Sequence, residues 1–358
     1  MSGENPEGAA FEAGEAGAGW DDVNAAVAEA RALVAAEAAD ADALVEGEAY
    51  VTRVLTAALS SAVLGHRHTQ GGLATALPVH GGPNPDYILR HSVIAPGGQY
   101  RLKGRLNGSE RVAVGLYAIG PNGVPILVGQ RTFDRSNCAD GVFSLDISAH
   151  GDNATALRIS PSARLLMCRI LHRDTSAPAH LELKGAAAPQ GPALTGGSNE
   201  AALRQAANSL RANITEYMKW VRAAKKLRNR LDVAPPELTE AVVGDADTQY
   251  FLGGFDLAEG EWLEVVLPAD LTGYWSLHVY NVWYEHLVTP GVHDRNAVGA
   301  ADGLIRVAVG PETPLDAVNR IDTLGRRKGA FVCRIVGHTE RVSAPQTRLH
   351  SAQSGGIS

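Results

Sequence analysis

The segment ADGLIRVAVG, which begins at Ala301, has a near copy in ADGVFSLDIS, which begins at Ala139. The two segments lie 162 residues apart in the chain. In each, Asp-Gly is typical of a tight turn, and the alternating residues that follow predict a β-strand. A turn and strand that recur after 162 residues indicate a duplicated β domain.

Four more pairs of segments repeat in the same order, at offsets between 160 and 165 residues. The first pair begins at Tyr87 and Tyr250, and the second contains Tyr117 and Tyr280. The third pair is DRSN and DRNA, and the fourth contains Cys168 and Cys333. β-rich sequences have similar patterns of apolar and polar residues, but five repeated segments in the same order are hard to obtain by chance. We therefore predict a mainly β fold with helical additions, in which two related β-sandwich-like domains span residues 80–184 and 240–341.

Helical and irregular segments surround these two domains. Ala-rich periodicity predicts helices within residues 20–66, and apolar residues at spacings of three and four predict one long amphipathic helix over 200–234 that joins the domains. Composition predicts a disordered acidic arm at 1–19, a flexible linker at 185–199 and a disordered tail at 342–358.

The net charge of −7 is concentrated at the N-terminus. Residues 1–50 hold twelve acidic residues against the single Arg31, so the remainder is nearly balanced and makes no case for nucleic acid. The helix over 200–234 has a basic face. This face is either exposed to solvent, or binds RNA or a membrane, or contacts the acidic arm. No segment is apolar enough to span a membrane, and we expect a cytoplasmic protein whose oligomeric state stays open.

The three cysteines, Cys138, Cys168 and Cys333, form no CxxC pair and are odd in number. This count argues against a disulfide framework or a zinc knuckle. Because Cys168 and Cys333 occupy equivalent places in apolar runs, we expect both thiols to pack in a core.

The C-terminal half contains YWSLHVYNVWYE, DRNAVGAADGLIRVAVGPETP and NRIDTLGRRKGAFVCRIVG. Over residues 245–340 it resembles the bacterial family of unknown function numbered 1214, and residues 85–175 are more weakly similar to its companion family 1254. The resemblance implies a β-sandwich-like fold with helical additions, in proteins whose activity is mostly unassigned. In relatives an Asn-Trp pair is expected where this chain has Asn319 and Arg320, so an apolar wall is exchanged here for a cation.

The segment GYWSLHVYNVWYEH holds the densest group of chemically active side chains. Read as a strand of period two, it has an opposite face rich in rings and a core face that consists of Trp275, Leu277, Val279, Asn281 and Trp283. We call the five rings of that opposite face the ring face, and they are Tyr274, His278, Tyr280, Tyr284 and His286. Such a face suits a pocket for an apolar ligand with a few oxygens, or it merely covers a helix.

Two loops add polar residues to this candidate site. Asp294 and Asn296 lie in one predicted loop, and Asn319, Arg320 and Arg326 lie near another. Arg320 or Arg326 is suited to hold an anionic or carbonyl group of a ligand. The same residue types also cap turns and fasten loops.

The predicted function follows from these groups. His278, Tyr280 and His286 would act as acid–base residues on a bound hydrophobic metabolite, in lyase, isomerase or cyclase chemistry. We expect no cofactor, because the nucleotide and hydrolase motifs are missing, and no metal, because His66 and His68 lack further ligands nearby. The alternative is a non-catalytic scaffold or interaction protein built on a duplicated sandwich.

Overall fold

The computed structural model describes residues 17–64, 69–75, 81–120, 125–138, 140–150, 156–173, 177–185, 196–239, 245–338 and 340–351. Its helices are α1 (Ala18–Glu37), α2 (Ala41–Leu59) with a π-helical end (Ser60–Leu64), α3 (Gly196–Lys226) and the short α4 (Pro236–Thr239). Asp40 begins α2, because its side chain accepts a hydrogen bond from the Ala43 amide at 2.8 Å.

The strands fall into two sets, of which one precedes α3 in the chain and the other follows it. The first set is β1 (Thr69–Gln70), β2 (Leu73–Thr75), β3 (Tyr87–Val93), β4 (Gln99–Arg105), β5 (Arg111–Ile119), β6 (Pro125–Asp134), β7 (Val142–Ser148), β8 (Ala156–Arg158), β9 (Ala163–Leu171) and β10 (His180–Lys184). The second set is β11 (Arg230–Val233), β12 (Thr248–Asp256), β13 (Glu261–Pro268), β14 (Trp275–Tyr280), β15 (Val292–His293), β16 (Leu304–Gly310), β17 (Asn319–Asp322), β18 (Lys328–Val336) and β19 (Gln346–Ser351).

The two sets have the same topology. In the first, sheet A has the order β1-β2-β3-β9-β5-β6 and sheet B the order β10-β4-β7-β8. In the second, sheet C has the order β11-β12-β18-β14-β15 and sheet D the order β17-β16-β13-β19. The order β3-β9-β5-β6 thus recurs as β12-β18-β14-β15, and one pair of strands is parallel at the same place in each half, β7 with β8 and β16 with β17. The predicted mainly β fold with a duplicated arrangement is confirmed.

The strand register shows the duplication residue by residue. Val114 lies opposite Cys168, and Leu277 lies opposite Cys333, so the two cysteines occupy matching rungs. The turns of the ADG segments also match, since Gly141 and Gly303 both have positive φ, 66° and 76°, and each precedes a strand. Only glycine adopts this conformation without strain, which explains why both copies retain it.

Each half encloses its own core between two sheets. Apolar residues of sheets A and B form one buried cluster that includes Cys168, and those of sheets C and D form another that includes Cys333. Both are two-layer sandwiches. Burial raises the pKa of each of these two thiols to about 12. The prediction that both cysteines pack in a core is confirmed.

Helices α1, α2 and α3 form a layer on the outer face of sheet C. Their apolar faces share a buried cluster with Leu252, Ala330 and Val332 of that sheet. The basic face of α3 meets acidic residues of α1, because Arg211 pairs with Glu29 at 2.9 Å. Residues 1–16 of the acidic arm lie outside the described part, so a contact of that arm with the helix stays a prediction. No helix of the described ranges is long and apolar enough to cross a membrane.

Several predicted boundaries need correction. The helix expected over 200–234 begins at Gly196, so residues 196–199 of the predicted linker belong to it. It ends at Lys226, because the chain then turns at Asn229, which has positive φ, and enters β11. The tail expected to be disordered from 342 contains β19, which pairs with β13 over six residues and so completes sheet D. Ala18 and Gly19, placed in the disordered arm, belong to α1, whereas residues 1–16, 186–195 and 352–358 lie outside the described part.

Alkylation should distinguish the buried thiols from reactive ones. In the native protein at pH 8, we expect Cys168 and Cys333 to resist iodoacetamide, because burial and a raised pKa remove the thiolate that reacts. Peptide mass spectrometry gives the labelled fraction at each site, and protein unfolded in urea serves as the positive control. Rapid native labelling of either cysteine would contradict the packing described above.

Candidate functional site

The ring-rich segment of the second sandwich is a strand followed by a reversal. β14 ends at Tyr280, and residues 281–285 form a turn in which Tyr284 has a φ of 65°. The chain returns so that His286 forms a β-bridge with Tyr280. The prediction of one continuous strand from Tyr274 to His286 is therefore wrong beyond Tyr280. The expected core face is confirmed for Trp275, Leu277 and Val279, which are buried between sheets C and D. It is wrong for Asn281, whose side chain accepts hydrogen bonds within the turn, and for Trp283, which packs in the helical cluster.

The turn nevertheless brings the rings of the ring face together. Tyr280 stacks on Tyr284 with ring centroids 5.2 Å apart. His286 lies edge-on to both His278 and Tyr280, at 5.4 and 5.7 Å. Trp220 of α3 packs on Tyr284 at 5.7 Å and covers the cluster from the helical side. Four of these rings were expected together from the sequence, whereas Trp220 and the backbone path that assembles the cluster were not.

The ring face packs against a segment of the first half, residues 81–86, which leads into β3 and which we call the entry segment. Tyr280 donates a hydrogen bond to the Pro83 carbonyl at 3.0 Å, and the Gly82 amide donates to the Tyr284 carbonyl at 2.9 Å. Asn84 donates to the Tyr274 hydroxyl at 2.7 Å. Protein groups therefore occupy the face that was expected to line a pocket.

Asp86, at the end of the entry segment, lies beside His278 and Tyr274. His278 Nε2 lies 3.4 Å from Asp86 Oδ2, and the Tyr274 hydroxyl donates to the same oxygen at 2.7 Å. Burial lowers the pKa of His278, more than the nearby carboxylate raises it. Burial also acts to raise the pKa of Asp86, but the hydrogen bonds and charge of His278 outweigh it and hold that pKa below its usual range. At neutral pH we therefore expect a neutral imidazole beside an ionised carboxylate.

Several polar atoms of the ring face have no partner among the residues that the structure describes. These atoms are His278 Nδ1, Tyr284 Oη and His286 Nε2. Burial and the neighbouring His278 and Arg334 lower the pKa of His286 to about 4. Only 1% of the His278 surface is exposed, so its imidazole has little access to a ligand from solvent. That His278, Tyr280 and His286 act as acid–base catalysts stays a prediction.

Arg334 fastens the entry segment from the strand beside β14. Its guanidinium donates to the Tyr280 hydroxyl at 2.9 Å and to the Gly82 carbonyl at 2.5 Å. The equivalent Arg169 in the first sandwich donates to the Tyr117 hydroxyl at 2.8 Å. The Cys-Arg-Ile sequence and its tyrosine partner were therefore duplicated together, and the second copy gained an interdomain role.

Three of the predicted loop residues have structural partners. Asp294 accepts a hydrogen bond at 2.5 Å from Arg173, which also pairs with Glu110 and so ties the two sandwiches together. Asn296 holds its own loop through the Gly291 carbonyl at 3.0 Å. Asn319 fastens the neighbouring loop through both backbone groups of Val298, at 2.7 and 2.9 Å. These residues share no cavity with the ring face.

The two predicted anchoring arginines lie in different places. Arg320 is exposed on the outer surface of β17. Arg326 lies in the turn before β18 and pairs with Glu46 of α2, with Nε and Nη2 at 2.8 and 2.6 Å from Oε1. None of the described residues accepts a hydrogen bond from its Nη1. Of the two, only Arg326 therefore adjoins the helical layer.

Arg326 lines a cavity of about 830 Å³ between the helical layer and the second sandwich, which we call the helix–sandwich groove. Val221, Ala224, Phe255, Val282, Trp283 and Ala330 supply its apolar surface. Acidic residues line the α2 side, including Asp42 and Glu46, and basic residues 326–328 line the opposite side. Trp283 is fixed in place because its indole donates to the Ala43 carbonyl at 2.9 Å. The groove is thus a preformed, mostly apolar cleft with charged edges.

Sequence reasoning missed Asp86, Glu46 and the glycines of the entry segment. The motif GGPNPD at 81–86 did carry a signal, because two glycines followed by prolines predict a turn with positive φ. Both glycines have that conformation, with φ of 75° and 63°. The pairing of Asp86 with His278, which lies 192 residues away, cannot be predicted from a single sequence because no local pattern indicates it.

Side chains of three or more His, Cys, Asp or Glu residues arranged to hold a metal ion do not occur among the described residues. The fold and its joints define a tandem β-sandwich protein with a helical layer over the second sandwich.

Comparison with known proteins extends this description of the fold. An uncharacterized protein from Burkholderia cenocepacia matches with a TM-score of 0.81 and 23% identity, over 94% of this chain and 98% of that one. The VPA0106 protein from Vibrio parahaemolyticus matches at a TM-score of 0.47 and 11% identity, over 92% and 100% of the two chains. No family model and no curated protein matches the chain, so the resemblance to families 1214 and 1254 stays a prediction.

Replacing Gly82 by Ala should loosen the joint. A Cβ at Gly82 would lie 2.3 Å from the Tyr284 ring, at a φ of 63°, so we expect a loss of roughly 2–4 kcal/mol in the free energy of unfolding. Gly303→Ala is the matched control, because Gly303 has positive φ but no atom within 4 Å of the added Cβ. It should cost about 1 kcal/mol, from backbone strain alone. Equal losses in urea unfolding would show that the ring face does not crowd the entry segment.

Stability should fall as the pH drops from 6.5 towards 4. In this window the unfolded chain protonates His286, whereas the folded protein, with a pKa of about 4 at this site, does not, so protons favour unfolding. His286→Gln should flatten the dependence of melting temperature on pH. The exposed His150 gives the control variant His150→Gln, which should keep the wild-type slope. An unchanged slope in His286→Gln would contradict the burial of this imidazole.

Proposed function

We propose that the protein binds a hydrophobic, oxygen-bearing small molecule in the helix–sandwich groove. The observation that carries this proposal is the cavity of about 830 Å³ with an apolar surface and a fixed tryptophan, Trp283. Its volume lies within the range of ligand pockets, roughly 300–1,000 Å³. The proposed ligand site is therefore this groove and not the ring face expected from the sequence.

The groove surface favours an apolar ligand body. Val221 and Ala224 of α3 form one wall, and Val282, Trp283 and Phe255 of the second sandwich form the other. Burying an apolar ligand between them gains about 25 cal/mol per Å² of surface removed from water. The charged residues lie towards the edges, where they stay hydrated and exclude wrongly oriented molecules.

Arg326 supplies the group that recognises oxygen. Its Nε and Nη2 are held by Glu46, which fixes the plane of the guanidinium beside the cavity. Nη1 then offers hydrogen atoms to a carbonyl or carboxylate oxygen of the ligand. This retains the role expected for Arg326 from the sequence and leaves Arg320 outside the site.

Binding is proposed here without catalysis. The groove residues include neither histidine nor tyrosine, and the ring face that carries both is packed against the entry segment. Three unpaired cysteines fit a reducing, cytoplasmic setting for this role.

A scaffold without a ligand is the second candidate function. The occupied ring face favours it, because the polar rings there join the two sandwiches rather than leave open space. On this account the groove is an incidental gap between packed layers. The two candidates differ in whether the groove binds a small molecule with a defined stoichiometry.

Titration with 1-anilinonaphthalene-8-sulfonate, an apolar dye with an anionic group, tests the proposal. We expect saturable binding at one strong site, weakened roughly tenfold or more in Arg326→Ala, because a charge-assisted hydrogen bond is lost. Val282→Trp should reduce binding as well by filling the groove.

Arg320→Ala is the matched control, since it removes an exposed arginine of the same sandwich outside the groove. It should bind the dye like the wild type. Melting curves of all variants confirm that each is folded. Absence of saturable binding, or equal affinity in all variants, would refute the ligand proposal and favour the scaffold.

A further inference from the structure

The outer face of sheet D carries a second cavity, of about 330 Å³, which we call the outer pocket. It lies where the loops at 298–300 and 314–318 rise over β13 and β16. Trp262 and Glu264 of β13 and Arg306 of β16 line it, and Val298 and Val318 give it apolar walls. The pocket shares no residue with the helix–sandwich groove, so a ligand here is independent of the function proposed above.

Hydrogen bonds of Asn319 and the stacking of Trp262 fix the walls of the outer pocket. Asn319 donates to the Val298 and Arg306 carbonyls at 2.9 and 3.0 Å and accepts from the Val298 amide at 2.7 Å. One loop of the pocket is thereby fixed to the sheet. Trp262 is fixed in turn by stacking on His350, with ring centroids 4.2 Å apart and planes 8° from parallel.

Glu264 is the unusual group in this pocket. Its side chain is only 13% exposed, and three nitrogen-bearing side chains surround it, with nitrogens of Arg306, Arg348 and His350 at 3.7, 3.8 and 3.6 Å. All three distances exceed a hydrogen bond, and no described residue donates one to the carboxylate. A carboxylate with so little contact with water gains stability from any donor that a ligand brings.

Arg306 places a donor beside this acceptor. Its Nη1 and Nη2 donate to Asp302 at 3.1 and 2.6 Å, which leaves the Nε hydrogen on the side of Glu264. Glu264 Oε1 and Arg306 Nε lie 3.7 Å apart. An acceptor and a donor side by side complement an amide group, whose N–H donates to the carboxylate while its C=O accepts from the guanidinium.

The surrounding charges restrict the ligand to a neutral molecule. Arg306 and Arg348 repel a cation, and Glu264 repels an anion. The small volume and the indole of Trp262 favour a single planar ring. We infer that the outer pocket binds a small neutral heterocycle with a cyclic amide, through Glu264 and Arg306.

Calorimetric titration of the full chain with uracil tests this inference. We expect saturable binding of one uracil per chain. The matched ligand 1,3-dimethyluracil has the same ring without N–H donors, and its affinity should be at least tenfold lower because Glu264 then receives no hydrogen bond. This ligand comparison requires no variant and so does not depend on the folding of a mutant.

Two variants locate the site. Glu264→Ala should weaken uracil binding at least tenfold, whereas Arg326→Ala, in the helix–sandwich groove, should leave it unchanged. Loss of uracil binding in Arg326→Ala but not in Glu264→Ala would overturn the inference by placing the ring in the groove. Equal affinity for both uracils, or no saturable binding of uracil, would overturn it as well, and neither result bears on dye binding in the groove.

Discussion

The buried guanidinium of Arg334 is the interaction on which the association of the two sandwiches depends. It is 7% exposed, and within the described part of the chain no carboxylate forms an ion pair with it. Its hydrogen bonds go to Tyr280 and to the Gly82 carbonyl of the entry segment, and the rings of Tyr250 and Tyr280 lie 5.9 Å away. A buried charge is costly unless it is hydrogen-bonded. Arg334 is therefore stable only while the entry segment is docked, so the two halves are coupled energetically.

The contact between the two sandwiches limits where cavities lie in the protein. The ring face is used to join the sandwiches, and helices α1 to α3 cover most of the outer face of sheet C. The helix–sandwich groove remains where the start of α2 and the end of α3 diverge from the turn that holds Arg326. Among the described residues no helix covers the outer face of sheet D, and there two loops together with β13 and β16 form the outer pocket. Both cavities therefore lie at the edges of the second sandwich.

The sequence was informative where the duplication or local periodicity carried the signal. The ADG segments predicted matching turns, and the places of Cys168 and Cys333 predicted matching core positions, because both features repeat in one chain. The sequence failed where long-range contacts decide the structure. Residues 346–351 form a strand by pairing with β13, and the ring face is polar where it meets Asp86, which lies far away in the chain.

Hydrogen exchange of Arg334→Met, compared with the wild type, tests most directly whether this arginine couples the two sandwiches. The variant removes the charge and keeps most of the apolar stem. Our account predicts faster exchange, by at least tenfold, in the entry segment and at Tyr284 together, since their backbones are bonded to each other, with unchanged protection in β16 of sheet D. Unchanged protection of the entry segment, or faster exchange spread evenly through the second sandwich alone, would contradict it.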